Sequence, residues 1–162
     1  ILQPLDMHDT GMLATQDVVP GLAATYNLDD KTNQFLVDDP MYIENYFAAG
    51  AMYSTIEDLL RFDQGLFGGK LLQPATLATM LTPRPALYNV AIGFWVTDET
   101  IGSRTFKQAM RQGSIWGANA DWVHLIDGNK TIIVLSNTNA TDLTELASAL
   151  AVVATGAPRP TK

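Results

Sequence analysis

The second half of the chain constrains the fold most. Four apolar stretches, residues 88–97, 103–114, 119–126 and 131–137, follow one another across short connections, and one capped segment from Asp142 to Gly156 closes them. Each stretch reads as a strand. The connection Asp127-Gly128-Asn129-Lys130 carries a tight-turn signature. Strands joined this closely must run antiparallel, because a parallel pair needs a long crossover. The last two are apolar on both faces, so both faces of the sheet need cover. One cover is the final helix. Asp142 and Glu145 form a capping box at its start, Leu143, Leu146, Ala147, Leu150 and Val153 make one stripe, and Gly156 closes it. The expected class is α+β: an antiparallel β-sheet with a C-terminal helix packed on it, preceded by loops and short helices.

The first half is less regular. Residues 1–20 are cut by Pro4, Gly11 and Pro20 and read as loop. The opening ILQPLDMHDTG reads as the end of a helix leaving through Pro4, so the chain is expected to be a fragment or a processed product. Residues 21–28 form a candidate strand that the turn DDKTN returns to QFLV, making a small hairpin. A long loop rich in Tyr, Phe and Ala follows. Ser54 and Glu57 then form a capping box for the first firm helix, with Ile56, Leu59, Leu60, Leu66 and Phe67 at helical spacing and Gly68-Gly69 as its stop. A second helix starts with Pro74 in its first turn, presents Leu77, Met80 and Leu81, and ends before Pro83. One domain portion over 1–162 is expected, organised as a loop-rich region 1–53, helices 54–82, and sheet plus terminal helix 88–156. The tail APRPTK is expected to fray.

Composition removes several functions. Lys plus Arg is 10 and Asp plus Glu is 17, a net charge of −7. No basic face is available to neutralise nucleic-acid phosphates or anionic lipid. Hydrophobic residues make up 47%, enough to build a core. No apolar run is long enough to span a bilayer. Without cysteine there is no thiol nucleophile, disulfide or thiolate metal site, and no His/Asp/Glu cluster has metal-ligand spacing, so no metal and no cofactor are implied.

Individual residues mostly take ordinary roles. His124 alternates with Trp122 and Ile126 on a strand and reads as a structural histidine; the other histidine is His8. Asp29-Asp30 and Asp38-Asp39 read as solvated turn residues, Asp58 and Arg61 as a surface ion pair, and Ser54 as a helix cap. Tyr42, Tyr46 and Phe47 either line a pocket or anchor the long loop.

Two stretches carry a resemblance. Residues 48–83, AAGAMYSTIEDLLRFDQGLFGGKLLQPATLATMLTP, and the opening PLDMHDT resemble the serine β-lactamase/penicillin-binding protein-like family, in the branch of class C β-lactamases, D,D-peptidases and esterases. The order of landmarks resembles the C-terminal half of the β-lactamase/transpeptidase-like fold. That family uses S-x-x-K, Y-x-N and a K-T-G or H-x-G strand. Only the third has a counterpart, RQGSIWG, with Arg111 at the Lys or His position and Gly113 at the Gly. Arg keeps the charge but cannot shuttle a proton. No serine here has Lys three residues on, and Tyr42 has Asn45 one position too far.

The resemblance implies a serine hydrolase working through an acyl-enzyme on an amide, lactam or ester. The nucleophile would lie outside this chain, and this chain alone would be inactive. The Ser114 backbone N–H would be an oxyanion donor on an edge strand. Arg111, Gln112, Gly113, Trp116, Tyr42 and Tyr46 would bind substrate, a small molecule or peptide. The implied partner is the N-terminal half of the same fold, as a separate chain or a missing segment, or a second copy. The alternative readings are a penicillin-recognising or peptidoglycan-sensing module, and a structural homologue without turnover. Periplasmic or secreted placement fits the resemblance.

Overall fold

The structure, a computed structural model, describes residues 1–158, so the last four residues of the tail lie outside the described residues. Strand β1 (Gly11–Met12) pairs antiparallel with β4 (Met52–Tyr53). The hairpin expected around DDKTN is present as β2 (Tyr26–Asp29) and β3 (Gln34–Val37). Helices α1 (Ile56–Phe67) and α2 (Pro74–Met80) follow. Then come β5 (Trp95–Ile101), β6 (Arg104–Ile115), β7 (Ala118–Leu125) and β8 (Lys130–Ser136), an antiparallel meander in the order β5-β6-β7-β8. Helix α3 (Leu143–Thr155) ends the described fold. The class is α+β, as expected.

The sheet is covered on both faces. Against one face, Ile101, Phe106, Val123, Leu125 and Ile132 pack on Ala147 and Ala151 of α3. Against the other, Val96 and Ala109 pack with Leu66 of α1, Ala91 and Phe94, with Phe62, Trp122 and Met80 around them. Alternation along each strand explains this, because neighbours point to opposite faces. The same rule splits residues 110–115. Met110 belongs to the α3 face and its neighbour Arg111, paired with Trp122, to the α1 face.

Several expectations need correction. Residues 88–97 are not one strand. Tyr88 and Asn89 sit at φ 56° and 60°, which a strand cannot accommodate, and β5 begins only at Trp95. The apolar residues before it, Ala91 and Phe94, are core plugs in a loop. The first helix is capped one residue later than expected. Thr55 accepts from the Asp58 N–H at 3.2 Å, while Ser54 Oγ bonds Thr10 Oγ1 at 2.8 Å. Asp58 is not a surface residue: it is fully buried and accepts from the Asp9 N–H (2.8 Å), Thr10 Oγ1 (2.8 Å) and Arg61 (2.5 Å). The α3 stripe is shifted as well. Leu143, Ala147 and Ala151 are buried, whereas Leu146, Leu150 and Val153 are exposed, because the helix is turned so that the 143/147/151 face meets the sheet. Pro4 does not end a helix; it sits within a one-turn 3-10 helix, Gln3–Leu5. The long loop contains its own 3-10 segment, Ile43–Ala49, with Phe47 at φ 42° and ψ −127°.

Candidate active site

The site is built on the far half of β6. That strand is not the outer strand of the sheet, since β5 flanks it. But β5 starts at Trp95 opposite Met110, so the segment from Arg111 to Ile115 has β7 on one side and no strand on the other. The expected edge is therefore local. Which amides face it follows from alternation. The Lys107 N–H donates to Asp127 Oδ2 at 2.9 Å, just past the end of β7, so odd-numbered amides of β6 point toward β7. The even-numbered amides, those of Gln112 and Ser114, point to the open side. A Cβ built on Gly113 would meet nothing within 4 Å, so the backbone there is free to be approached.

The side chains of the motif divide between the two faces. Arg111 is exposed and starts on the α1 face, and its guanidinium lies over the Trp95 ring, 5.1 Å from its centre. Among the described residues the Arg–carboxylate ion pair is Arg61–Asp58, and Arg111 is not in it. Gln112 and Ser114 lie on the α3 face, where Gln112 Nε2 donates to Thr144 Oγ1 at 2.6 Å. There a cavity of about 240 Å³ opens between β6, β7 and the first turn of α3, bordered by Gln112, Ser114, Asn119, Asp121, Thr141 and Thr144.

The end of the strand is fixed from outside the sheet. Trp116 and Gly117 form the two-residue β6–β7 turn, with Trp116 at φ 51° and half exposed. Gly117 is required by a close approach: a Cβ there would lie 2.6 Å from Tyr26 N of β2. Asp38, expected in a solvated turn, instead accepts the Gly117 N–H at 2.9 Å and a bond from Asn27, which clamps the β2–β3 hairpin to the turn. Tyr46 reaches the same corner. A Cβ on Gly50 would lie 3.0 Å from Ile115 Cδ1 and 3.3 Å from Tyr46 Cβ, so Tyr46, Gly50 and Ile115 are neighbours. Tyr42 is exposed one step earlier, at the start of the 3-10 segment.

Two features escaped the sequence reading. Asp63 of α1 is buried and gathers three donors: Trp122 Nε1 at 2.8 Å, His124 Nδ1 at 3.0 Å and Thr131 Oγ1 at 2.7 Å, with Phe67 stacked 3.5 Å from the imidazole. This network ties α1 to β7 and β8 and leaves His124 in the core. The second is Asp121, 1% exposed, whose carboxylate makes no hydrogen bond of full geometry, with only the Gln112 amide and the Trp122 N–H beside it. Burial pushes its carboxyl above the usual carboxylate range, and nearby Asp142 adds to that, against smaller opposing pulls from the Gln112 amide and the Trp122 N–H. The signal was in the sequence: a carboxylate at a β7 position in phase with the buried Val123 and Leu125.

Comparison with known proteins agrees with this geometry. The profile of the β-lactamase family matches residues 1–155. A human protein named β-lactamase-like 1 is 37% identical over 87 residues, which is 51% of this chain and 16% of the human protein. The octameric penicillin-binding protein homologue from Pyrococcus abyssi superposes with TM-score 0.80 at 16% identity, over 97% of this chain and 36% of its own. A D-stereospecific amidohydrolase from Streptomyces sp. gives TM-score 0.76 at 22% identity, over 92% of this chain and 45% of its own. The chain thus spans less than half the length of these relatives. Among the described residues no group of side chains has the makings of a metal site, and no helix is long and apolar enough to cross a membrane.

Proposed function

The chain belongs to the β-lactamase family, and from that premise we propose that it is the C-terminal portion of a serine hydrolase that cleaves an amide, lactam or ester through an acyl-enzyme. The observation that carries this reading is the open edge at Arg111–Ile115. An acyl transfer develops an oxyanion, and preorganised N–H donors aimed at it stabilise the transition state. The Ser114 N–H points out of the sheet on that edge and serves as one donor. Gly113 lets the substrate backbone lie against the strand. Arg111, held over Trp95, takes the carboxylate or carbonyl end of the substrate. Trp116 and Tyr46 lie at the end of that strand and shape the acyl side, with Gln112 on its other face and Tyr42 further out on the long loop.

The remaining parts come from elsewhere. The nucleophilic serine with its lysine, and the tyrosine motif, have no counterpart in these 162 residues, so the rest of the fold supplies them, in the same polypeptide or a separate chain. The 162 residues by themselves turn over nothing by a serine mechanism, because a hydroxyl without an adjacent base is a weak nucleophile. Association with that other half, or with further copies, covers the exposed Leu146, Leu150 and Val153 of α3.

The test is kinetic. Full-length protein is offered nitrocefin and p-nitrophenyl esters, and the acylated residue is mapped by mass spectrometry. A covalent adduct on a serine outside residues 1–162, with turnover, supports the reading. Turnover that depends on a serine within the 162 residues sinks it. A second reading, a penicillin-recognising sensor, is favoured by one residue. Arg111 replaces the Lys or His of the motif and cannot shuttle a proton. A stable adduct that deacylates over hours marks the sensor.

A further inference from the structure

We propose that Trp95 is the positioning residue of the site: its indole draws the Arg111 guanidinium to the open edge of β6 and so sets the preference for a substrate that carries a carboxylate. The proposal rests on the acyl-transfer reading above.

The two side chains start on opposite faces of the sheet. Residues directly opposite each other on neighbouring strands share a face. Trp95 lies opposite Met110, which belongs to the α3 face, and Arg111 lies opposite Trp122, which belongs to the α1 face. Yet the guanidinium lies over the Trp95 ring, 5.1 Å from its centre. Side chains that leave a sheet on opposite faces meet past the end of a strand, not across it. Strand β5 begins at Trp95, and the segment of β6 that β5 leaves unpaired begins at Arg111. The meeting place is therefore the mouth of the open edge, where the substrate is expected to lie.

The indole is not a core residue. Its chain neighbours Phe94 and Val96 are buried in the core on the α1 side, whereas Trp95 is half-buried and belongs to neither core cluster among the described residues. What its face meets is the guanidinium. Trp offers a cation the best of the aromatic faces. An Arg side chain at an exposed strand end otherwise samples many rotamers, and a substrate that binds it must first order it. The ring orders it before the substrate arrives. A cation over a ring is held through its charge, so the N–H donors at the rim of the guanidinium stay available to a carboxylate. The pair also accounts for Arg at the motif position. A Lys ammonium is a compact, strongly hydrated charge, while a guanidinium is planar, weakly hydrated and suited to lie on an aromatic face.

The experiment uses full-length protein and two esters with acyl chains of equal length, mono-p-nitrophenyl adipate and p-nitrophenyl hexanoate. The readout is the ratio of kcat/KM for the acid ester to that for the neutral one. Trp95→Leu should lower the ratio about fivefold, the size of a lost cation–π contact, and Trp95→Phe, which keeps an aromatic face, should lower it less. In an Arg111→Ala background Trp95→Leu should leave the ratio unchanged, because no cation remains to be placed. A ratio that Trp95→Leu leaves at the wild-type value, or lowers equally in both backgrounds, overturns the positioning role while the binding role of Arg111 stands. A ratio that Arg111→Ala leaves unchanged removes the binding role, and the positioning role with it. NMR on wild-type protein needs neither turnover nor a folded variant. The Arg111 Nε–H should resonate upfield of the other arginines, under the ring current of Trp95, and hexanoate but not hexanol should shift it. A resonance at the ordinary position, or an equal response to the two ligands, overturns the proposal. An upfield resonance that responds to hexanoate, with no ester turnover, leaves the positioning role standing and removes the hydrolase reading instead.

Discussion

Trp95 lies opposite Met110, and at that pair the sheet narrows from four strands to three. Everything that makes β6 a candidate site follows from the early end of its neighbour. The Arg111 side chain is free to swing over the Trp95 ring, and the amides of Gln112 and Ser114 have no strand to bond. Had β5 begun five residues sooner, the same sequence would be an ordinary interior strand with its donors used up.

The first prediction concerns that edge. Arg111→Ala in the full-length protein should lower kcat/KM for carboxylate-bearing substrates by about ten- to a thousand-fold, or roughly 1.4–4 kcal/mol. Neutral esters should lose less. The melting temperature should move little, because a cation–π contact at an exposed site contributes only about 0.5–1 kcal/mol. Ser114→Ala should be mild and Ser114→Pro severe, since only proline removes the backbone donor. Equal kinetics for Arg111→Ala and wild type on both substrate classes would refute the role assigned to the guanidinium.

Gly117→Ala should be destabilising out of proportion to one methyl group. The added Cβ collides with the Tyr26 backbone, which cannot swing aside as a flexible side chain would. A cost of about 1–3 kcal/mol is expected, as for overpacking elsewhere. Thermal unfolding measures the cost, and hydrogen exchange should show the β2–β3 hairpin loosening first. Unchanged protection at Tyr26–Asp29 would count against the clamp.

Asp58 should make the fold acid-sensitive. Burial pushes its carboxyl up, but Thr10, the Asp9 N–H and Arg61 outweigh burial and hold it below the ordinary 3.8. A depressed folded pKa means that the stabilisation is present above the unfolded value and is lost as pH falls through the folded one. Stability should therefore decline below about pH 4, and Asp58→Asn should flatten that part of the curve while lowering stability at neutral pH. Denaturant titrations at a series of pH values decide it. A variant with the wild-type acid limb would place the sensitivity elsewhere.

Asp121 carries the opposite sign. Its carboxyl is raised above 3.8 by burial, so its ionisation disfavours the folded state. No penalty exists well below the unfolded pKa, and the penalty grows as pH rises through the folded one. Asp121→Asn should accordingly stabilise the protein near neutral pH and change nothing at strongly acidic pH. A melting temperature that falls at pH 7 would mean that the carboxylate has a partner after all.

The sequence by itself determined what depends on near neighbours. Alternation and the tight turn at 127–130 set the meander, and Asp142 with Gly156 bounded α3, because capping and strand pairing across short turns are local interactions. The landmark order from PLDMHDT to RQGSIWG was enough to place the family. Tertiary structure alone decided the rest. Whether Ser54 or Thr55 caps α1 was settled by Thr10, forty-four residues away, which takes the Ser54 hydroxyl for itself. Whether Leu146 or Ala151 faces the sheet was settled by how the helix is turned against it. The turn of Asp38 toward Gly117, the convergence of Trp122, His124 and Thr131 on Asp63, and the burial of Asp121 beside Gln112 all join residues from separate elements. Hydrogen-bond partners distant in sequence leave no periodicity to read, and a buried carboxylate shows its cost only when the space around it is known.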